Sequence, residues 1–367
     1  MKIDSAEIRL VRLPLLYPFQ ISSGTMTERY FMLLTLRGEG LEGYGESVMD
    51  DVPYWREETL TGALELLKTV LLPAVLGKNF NSPNALVESY AILKGNRMAK
   101  ATLETAFWDL WAKSLGQPLA NLLGGTRNSI PVGVSLGIQN DLNLTLKQVE
   151  SHLAQGYKRI KLKIQPGHDV KVVSLVRQHF PDAHLTVDAN SAYSLADARV
   201  FQQLDESDLD YIEQPLAFDD IHDHAKLQAM LRTPLCLDES IQDAGFARKA
   251  LESGAARVIN IKTGRVGGHL ESRKIHDVSQ AFGAPVWCGG MLESGIGRAH
   301  NIHLSTLENF TKPGDTSSSS RYWKQDIINE ALEVEDGMMA LPAGPGIGVS
   351  LNLAALERVS ESTEVVR

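Results

Sequence analysis

The chain of 367 residues is 43% hydrophobic and 22% charged, a composition ordinary for a soluble enzyme that excludes disorder, collagen and coiled coil. Its 36 Lys+Arg against 45 Asp+Glu leave a net charge of −9 with no dense basic run, which argues against nucleic acid or an anionic membrane as a partner. The two cysteines, Cys236 and Cys288, sit in apolar stretches, Met1–Glu7 lacks the apolar core of a signal peptide, and no segment approaches the roughly 20 apolar residues of a membrane span, so a cytoplasmic protein with reduced thiols is expected.

Residues 1–50 read as strands. Ile8, Leu10 and Leu13 alternate roughly with polar neighbours, and Tyr30–Leu36 is rich in β-formers. Gln20–Thr27, rich in Ser, Thr and Gly, reads as a loop between them, and Gly38-Glu39-Gly40 turns the chain into Leu41–Glu46 as a hairpin. From about 56 to 115 the period is helical. Leu60, Leu64, Leu67 and Val70-Leu71 share one face, and Leu103, Ala106-Phe107 and Leu110-Trp111 repeat the spacing until Gly116 stops it. After Gly124-Gly125 the texture changes. Short apolar segments (130–138, 159–164, 184–190, 209–215, 235–240, 258–264 and 285–290) alternate with stretches long enough for a helix, which predicts parallel β/α units.

A repeat sharpens this. Lys163, Asp188, Glu213, Asp238 and Lys262, each near a predicted strand end, fall 25, 25, 25 and 24 residues apart. Eight such units fit a closed barrel, whose functional side chains gather at the C-terminal ends of its strands. An open doubly wound sheet would want a Gly-rich phosphate turn after its first strand, and neither Gly290–Gly297 nor Gly344–Gly348 matches GxGxxG.

If they end consecutive strands, Asp188, Glu213 and Asp238 converge at the barrel mouth. Three like charges in one pocket raise one another's pKa unless a cation neutralises them, and oxygen ligation alone selects a hard ion, Mg²⁺ first. Lys161 and Lys163, at i and i+2, share one strand face. Lys262 ends a strand four units further round, on the opposite side. Buried ammonium groups need anionic partners, and a neighbouring like charge lowers a lysine toward the range of a general base. A metal held by three carboxylates and flanked by lysines suits proton abstraction next to a carboxylate, with the ion stabilising the resulting enediolate.

Lys-x-Lys, then Asp, Glu and Asp one unit apart, then Asn-x-Lys, resembles the enolase superfamily in its muconate-lactonising-enzyme-like branch, for which a Lys or His base with Mg²⁺ is the established pattern. Arg97–Ala101, Gly133–Ile138 and Gly289–Gly295 are similar to the o-succinylbenzoate synthase / N-acylamino acid racemase family. The resemblance implies an α/β fold: a (β/α)7β TIM-like barrel over 126–320, and an α+β capping domain built from 1–125 and a returning segment, 321–367. Loops near Phe19–Thr27 and Asp50–Trp55 would close over the substrate. The implied reaction is dehydration of a cyclohexadiene carboxylate to o-succinylbenzoate, a menaquinone-pathway step, together with racemisation of N-succinylamino acids.

Lys163 would be the base, Lys262 its counterpart on the other face and Lys161 its charged neighbour. Asp188, Glu213 and Asp238 would hold Mg²⁺, with Mn²⁺ as a substitute, and Glu239 would stand behind them. Ser135, Asn190, Arg265, Gly290, Met291, Phe19, Ile21 and Gly24 would touch a small carboxylate substrate, with Arg265 supplying positive charge beside Lys262. A homo-oligomer is expected. Dipeptide epimerase and muconate-type cycloisomerase are the alternatives. The former carries an Asp-x-Asp that Gly314–Ser318 does not match, and Ser317–Ser320 reads as a turn or phosphate-sized loop. A mandelate-racemase-type His is missing where the chain has Val286–Gly289.

Overall fold

The alternation from residue 130 onward builds a curled parallel sheet of seven strands in sequential order: Val134–Leu136, Ile160–Lys163, Leu185–Asp188, Tyr211–Glu213, Leu235–Leu237, Val258–Ile261 and Val286–Cys288. The computed structural model describes residues 1–21 and 24–367, the side chains of Gln20 and Ile21 excepted. Every residue of these strands is buried, as in a parallel sheet covered on both faces. Five of the connecting helices begin at a side chain that accepts a nearby backbone amide: Asp141, Asp169, Asp220, Asp243 and Ser294. Such caps contribute about 1 kcal/mol each.

Irregular chain takes the place of an eighth strand. Asp315 N donates to Cys288 O at 2.9 Å and Gly133 N to Gly314 O at 2.8 Å, so residues 310–315 touch both edges of the sheet through isolated bridges. Pro313 lacks the N–H that a regular ladder needs there.

The cap is a four-stranded antiparallel sheet in the order Ser360–Val366, Ser5–Ile21, Gly24–Gly38 and Leu41–Glu46. The expected loop over 20–27 is corrected: Phe19 pairs with Met26, Gln20 with Thr25 and Ile21 with Gly24. After a break in register between Pro14 and Phe19, the long hairpin resumes pairing through this polar composition, because backbone pairing requires no apolar side chain. Glu39 (φ 53°) and Gly40 (φ 79°) form the left-handed turn between the next two strands, the kind that matches strand twist. The third strand packs directly on the helix Arg97–Ser114, where a Cβ on Gly45 would lie 2.2 Å from Thr102 O. The predicted face of the first cap helix is also corrected. A π-turn over Leu67–Leu71 rotates the register and leaves Val70 exposed.

Two cap carboxylates dock on barrel helices. Glu46 accepts from Ser294 Oγ and the amides of Ser294 and Gly297. Glu104 accepts from the amides of His269 and Leu270 and from Trp108 Nε1. Burial outweighs these donors and pushes both carboxyls up to about 7. A carboxyl raised in the folded state contributes stability below its ordinary value of 4.5, and that contribution is lost as the pH rises through 7. Glu104→Gln is therefore expected to flatten the fall in melting temperature between about pH 5 and 7. Melts of the two proteins across that window decide it, and parallel curves would show that Glu104 titrates normally.

Candidate active site

The C-terminal ends of the barrel strands carry the charged residues, because strand alternation turns Lys161 and Lys163 to the same inward face. Lys161 Nζ lies 2.9 Å from Glu213 Oε2, 2.8 Å from Asp315 Oδ2 and 3.5 Å from Asp188 Oδ2. Lys163 Nζ lies 2.6 Å from both Asp188 Oδ2 and Asn190 Oδ1. Across the mouth, Lys262 Nζ lies 2.8 Å from Asp238 Oδ2.

Burial alone would lower Lys161, but the charges of Asp315, Glu213 and Asp188 outweigh it and hold the group well above its usual range. Lys161 is thus a fixed cation. Asp315 is its counterpart: burial would raise it, but Lys161 and Arg159 drive its carboxyl far below the usual range.

Asp188 and Glu213 end consecutive strands, Asp238 directly follows the next, and all three are at most 1% exposed. Burial would also raise Asp188, yet Lys163 and Lys161 bring it down to about 2, whereas burial and then the Asp188 charge push Glu213 up to about 7. Two carboxylates close enough to repel, with only oxygens to offer, fit a hard divalent cation. Among the described residues no three Asp, Glu, His or Cys side chains form a ready cage, since lysines lie against the carboxylate oxygens. The donor set still fits such an ion. Asp238 Oδ2 and Glu239 Oε2 are buried without a hydrogen-bond partner, the former beside Lys262 but not aligned with it.

A cavity of about 590 Å³ opens between the cap loops and the barrel mouth, lined in part by Phe19, Gly24, Lys163, Asn190, Lys262, Gly290 and Met291. Its size suits a small-molecule ligand. Ser135 lies deeper, its Oγ 3.3 Å from both Asp315 oxygens. The side chain expected of Ile21 is outside the described residues. Asn190 bridges the site, its Nδ2 donating to Glu239 Oε1 at 2.9 Å while its Oδ1 accepts from Lys163. Glu239 Oε1 also accepts from Trp55 Nε1 at 2.8 Å, and the Trp55 ring centre is 4.5 Å from Lys262 Nζ. Where a mandelate-racemase-type site would have its His, a Cβ on Gly289 would lie 2.6 Å from Lys262 Cε.

Arg265 departs from expectation. It is 2% exposed and lies behind Asp238, not in the cavity: its guanidinium donates to Asp238 Oδ1, Ile241 O and Asn260 O. The short helix Thr263–Val266 after the strand carries it under the loop. Asp238 therefore sits between Arg265 and Lys262. Arg265→Gln is expected to free Asp238 and slow α-proton exchange on the Lys262 face roughly tenfold more than on the Lys163 face, the scale of one charged hydrogen bond. Deuterium exchange followed by NMR for each enantiomer separates the two faces, and equal losses would count against this role.

Asp315, Arg159 and the Trp55 contact were missed in the sequence. Asp315 falls on irregular chain off the 25-residue spacing, so no strand pattern marked it. Trp55 was seen only as part of a closing loop.

Residues 5–124 match the mandelate racemase / muconate lactonizing enzyme N-terminal domain, and residues 145–355 match the enolase C-terminal domain-like family. The chain is 58% identical to the N-succinylamino acid racemase of Thermus thermophilus, over 98% of both chains. It is 50% identical to the o-succinylbenzoate synthase of Geobacillus kaustophilus, over 98% of this chain and 96% of that one. An enolase-superfamily crystal structure from Listeria innocua, 41% identical, superposes with a TM-score of 0.97 over 100% of this chain and 99% of that one.

Proposed function

Because the chain belongs to the mandelate racemase / muconate lactonizing enzyme group of the enolase superfamily, whose members depend on a divalent metal, we propose that it is an o-succinylbenzoate synthase that also racemises N-succinylamino acids. The synthase reaction would be dehydration of 2-succinyl-6-hydroxy-2,4-cyclohexadiene-1-carboxylate, a step toward menaquinone. The observation that carries this reading is the pair Lys163 and Lys262 facing one cavity from opposite sides, each against a carboxylate of the Asp188, Glu213, Asp238 set.

Those three carboxylates would hold Mg²⁺ or Mn²⁺. The ion, when bound, supplies positive charge to the substrate carboxylate and so acidifies the neighbouring C–H. Lys163 removes that proton and returns it to the departing hydroxyl on the same face, so that water leaves. Lys262 stays charged on the opposite face, toward the developing negative charge. In racemisation one lysine removes the α-proton and the other delivers a proton to the opposite face, which requires one neutral and one charged lysine at the start of each turnover. Lys161, held charged by Asp315 and Glu213, keeps positive charge beside Lys163 without titrating. Trp55 covers Lys262, its ring centre 4.5 Å from Nζ.

The test is the purified protein with Mg²⁺ and both substrates, following o-succinylbenzoate by absorbance and α-proton exchange by NMR. Inactivity toward both, with turnover of cis,cis-muconate or of dipeptides, would replace this reading by the cycloisomerase or epimerase alternative.

A further inference from the structure

The cations around the reacting centre are nearly all matched. Arg29 pairs with Asp50, Arg159 with Asp315, Lys161 with Glu213, Lys163 with Asp188, and Lys262 and Arg265 with Asp238. Two guanidinium groups differ. Arg298 donates to the carbonyls of Ser317 and Glu293 and leaves its buried Nε unpartnered. Arg321 donates to Ser135 O at 2.6 Å and to Tyr322 Oη at 3.0 Å. Among the described residues every hydrogen bond of this pair goes to a neutral acceptor, although Arg298 is only 3% exposed.

Both stack on one ring. Arg298 Cζ is 5.1 Å and Arg321 Cζ 5.2 Å from the Tyr322 centroid. Arg298 and Tyr322 line the deep end of the site with Lys161, Lys163 and Lys262. Arg321 and Tyr322 line a second cavity of about 340 Å³, separated from the site by Phe19 and Tyr322. His152, whose Nδ1 is unpartnered, faces that cavity too. Burial, followed by the Arg321 charge, lowers His152 to about 4, so at neutral pH it adds no second cation.

We propose that Arg321, stacked with Tyr322 and Arg298, receives the distal carboxylate of a dicarboxylate substrate. The inference rests on the functional reading above, in which both substrates carry a succinyl carboxylate in addition to the one beside the reacting carbon. With its first carboxylate at the barrel mouth, the substrate would send the second past Phe19 to a guanidinium that has no carboxylate of its own. A planar guanidinium binds such a group through two parallel hydrogen bonds.

The test compares N-succinyl and N-acetyl derivatives of one amino acid, of which only the first carries the distal CH₂–carboxylate arm. Arg321→Gln is expected to raise KM for the N-succinyl compound about tenfold to a hundredfold more than for the N-acetyl compound, with the preference expressed in KM and not in kcat. Arg321→Lys should restore part of it. Calorimetric binding of o-succinylbenzoate against benzoate gives the same comparison without turnover. An equal rise for both acyl groups would mean that Arg321 acts only by holding the Ser135 carbonyl, and an unchanged preference would mean that the carboxylate lies elsewhere; either overturns the proposal. A wild type that turns over neither compound defeats the functional reading instead, which keeps the two failures apart.

Discussion

Replacing Lys163 by alanine is expected to abolish dehydration, lowering kcat by about 10³-fold or more, the scale of a lost general base. On that side of the cavity Lys163 is paired with Asp188 and Asn190, and its neighbour Lys161 is held charged by three carboxylates and so is unable to substitute as a base. Racemisation should fail as well, but not every part of it. Lys262 remains on the opposite face, so one enantiomer of an N-succinylamino acid should continue to exchange its α-proton in deuterated water while the other stops. Dehydration within tenfold of wild type, or loss of exchange for both enantiomers, would remove Lys163 from the role of face-specific base.

Glu213→Gln tests the carboxylate set with an effect of similar size. Glu213 is fully buried between Asn260 Nδ2 and Lys161 Nζ. Its neutral isostere keeps the volume but removes an anionic oxygen from the proposed ion and the compensating charge from Lys161. Activity should fall by about 10³-fold, and calorimetric titration of Mg²⁺ into the variant should show weakened binding. In the wild type, EDTA should stop both reactions and Mg²⁺ or Mn²⁺ should restore them. Activity that survives chelation, or a variant that binds the ion as the wild type does, would be incompatible with these ligands.

The spacing of Lys163, Asp188, Glu213, Asp238 and Lys262 was readable because each residue ends or directly follows a regular strand, and a parallel β/α unit repeats at nearly constant length. The helices between the strands were legible only as stretches of sufficient length; their caps, such as Asp141 and Asp243, were shown by the structure. Other features were not legible. The pairing of residues 19–21 with 24–26 contradicts a polar, loop-like composition because the ladder comes from backbone groups, which composition does not report. Val70 turned outward because a single π-turn shifts the register of its helix.

What the amino-acid sequence determined by itself was therefore the repeat, the class of fold and the charged residues that face one another across the barrel mouth. Tertiary structure decided what those charges do to each other. Arg265, three residues from Lys262 in the chain, lies behind Asp238 because a short helix redirects it. Asp315 reaches Lys161 from 154 residues away, on a segment with no strand pattern. Tyr322 brings together Arg298 and Arg321, which no local spacing relates. Charge–charge energies depend on distances of a few ångströms and on burial, and for residues so far apart in the chain both are settled only when the barrel closes and the cap docks on it.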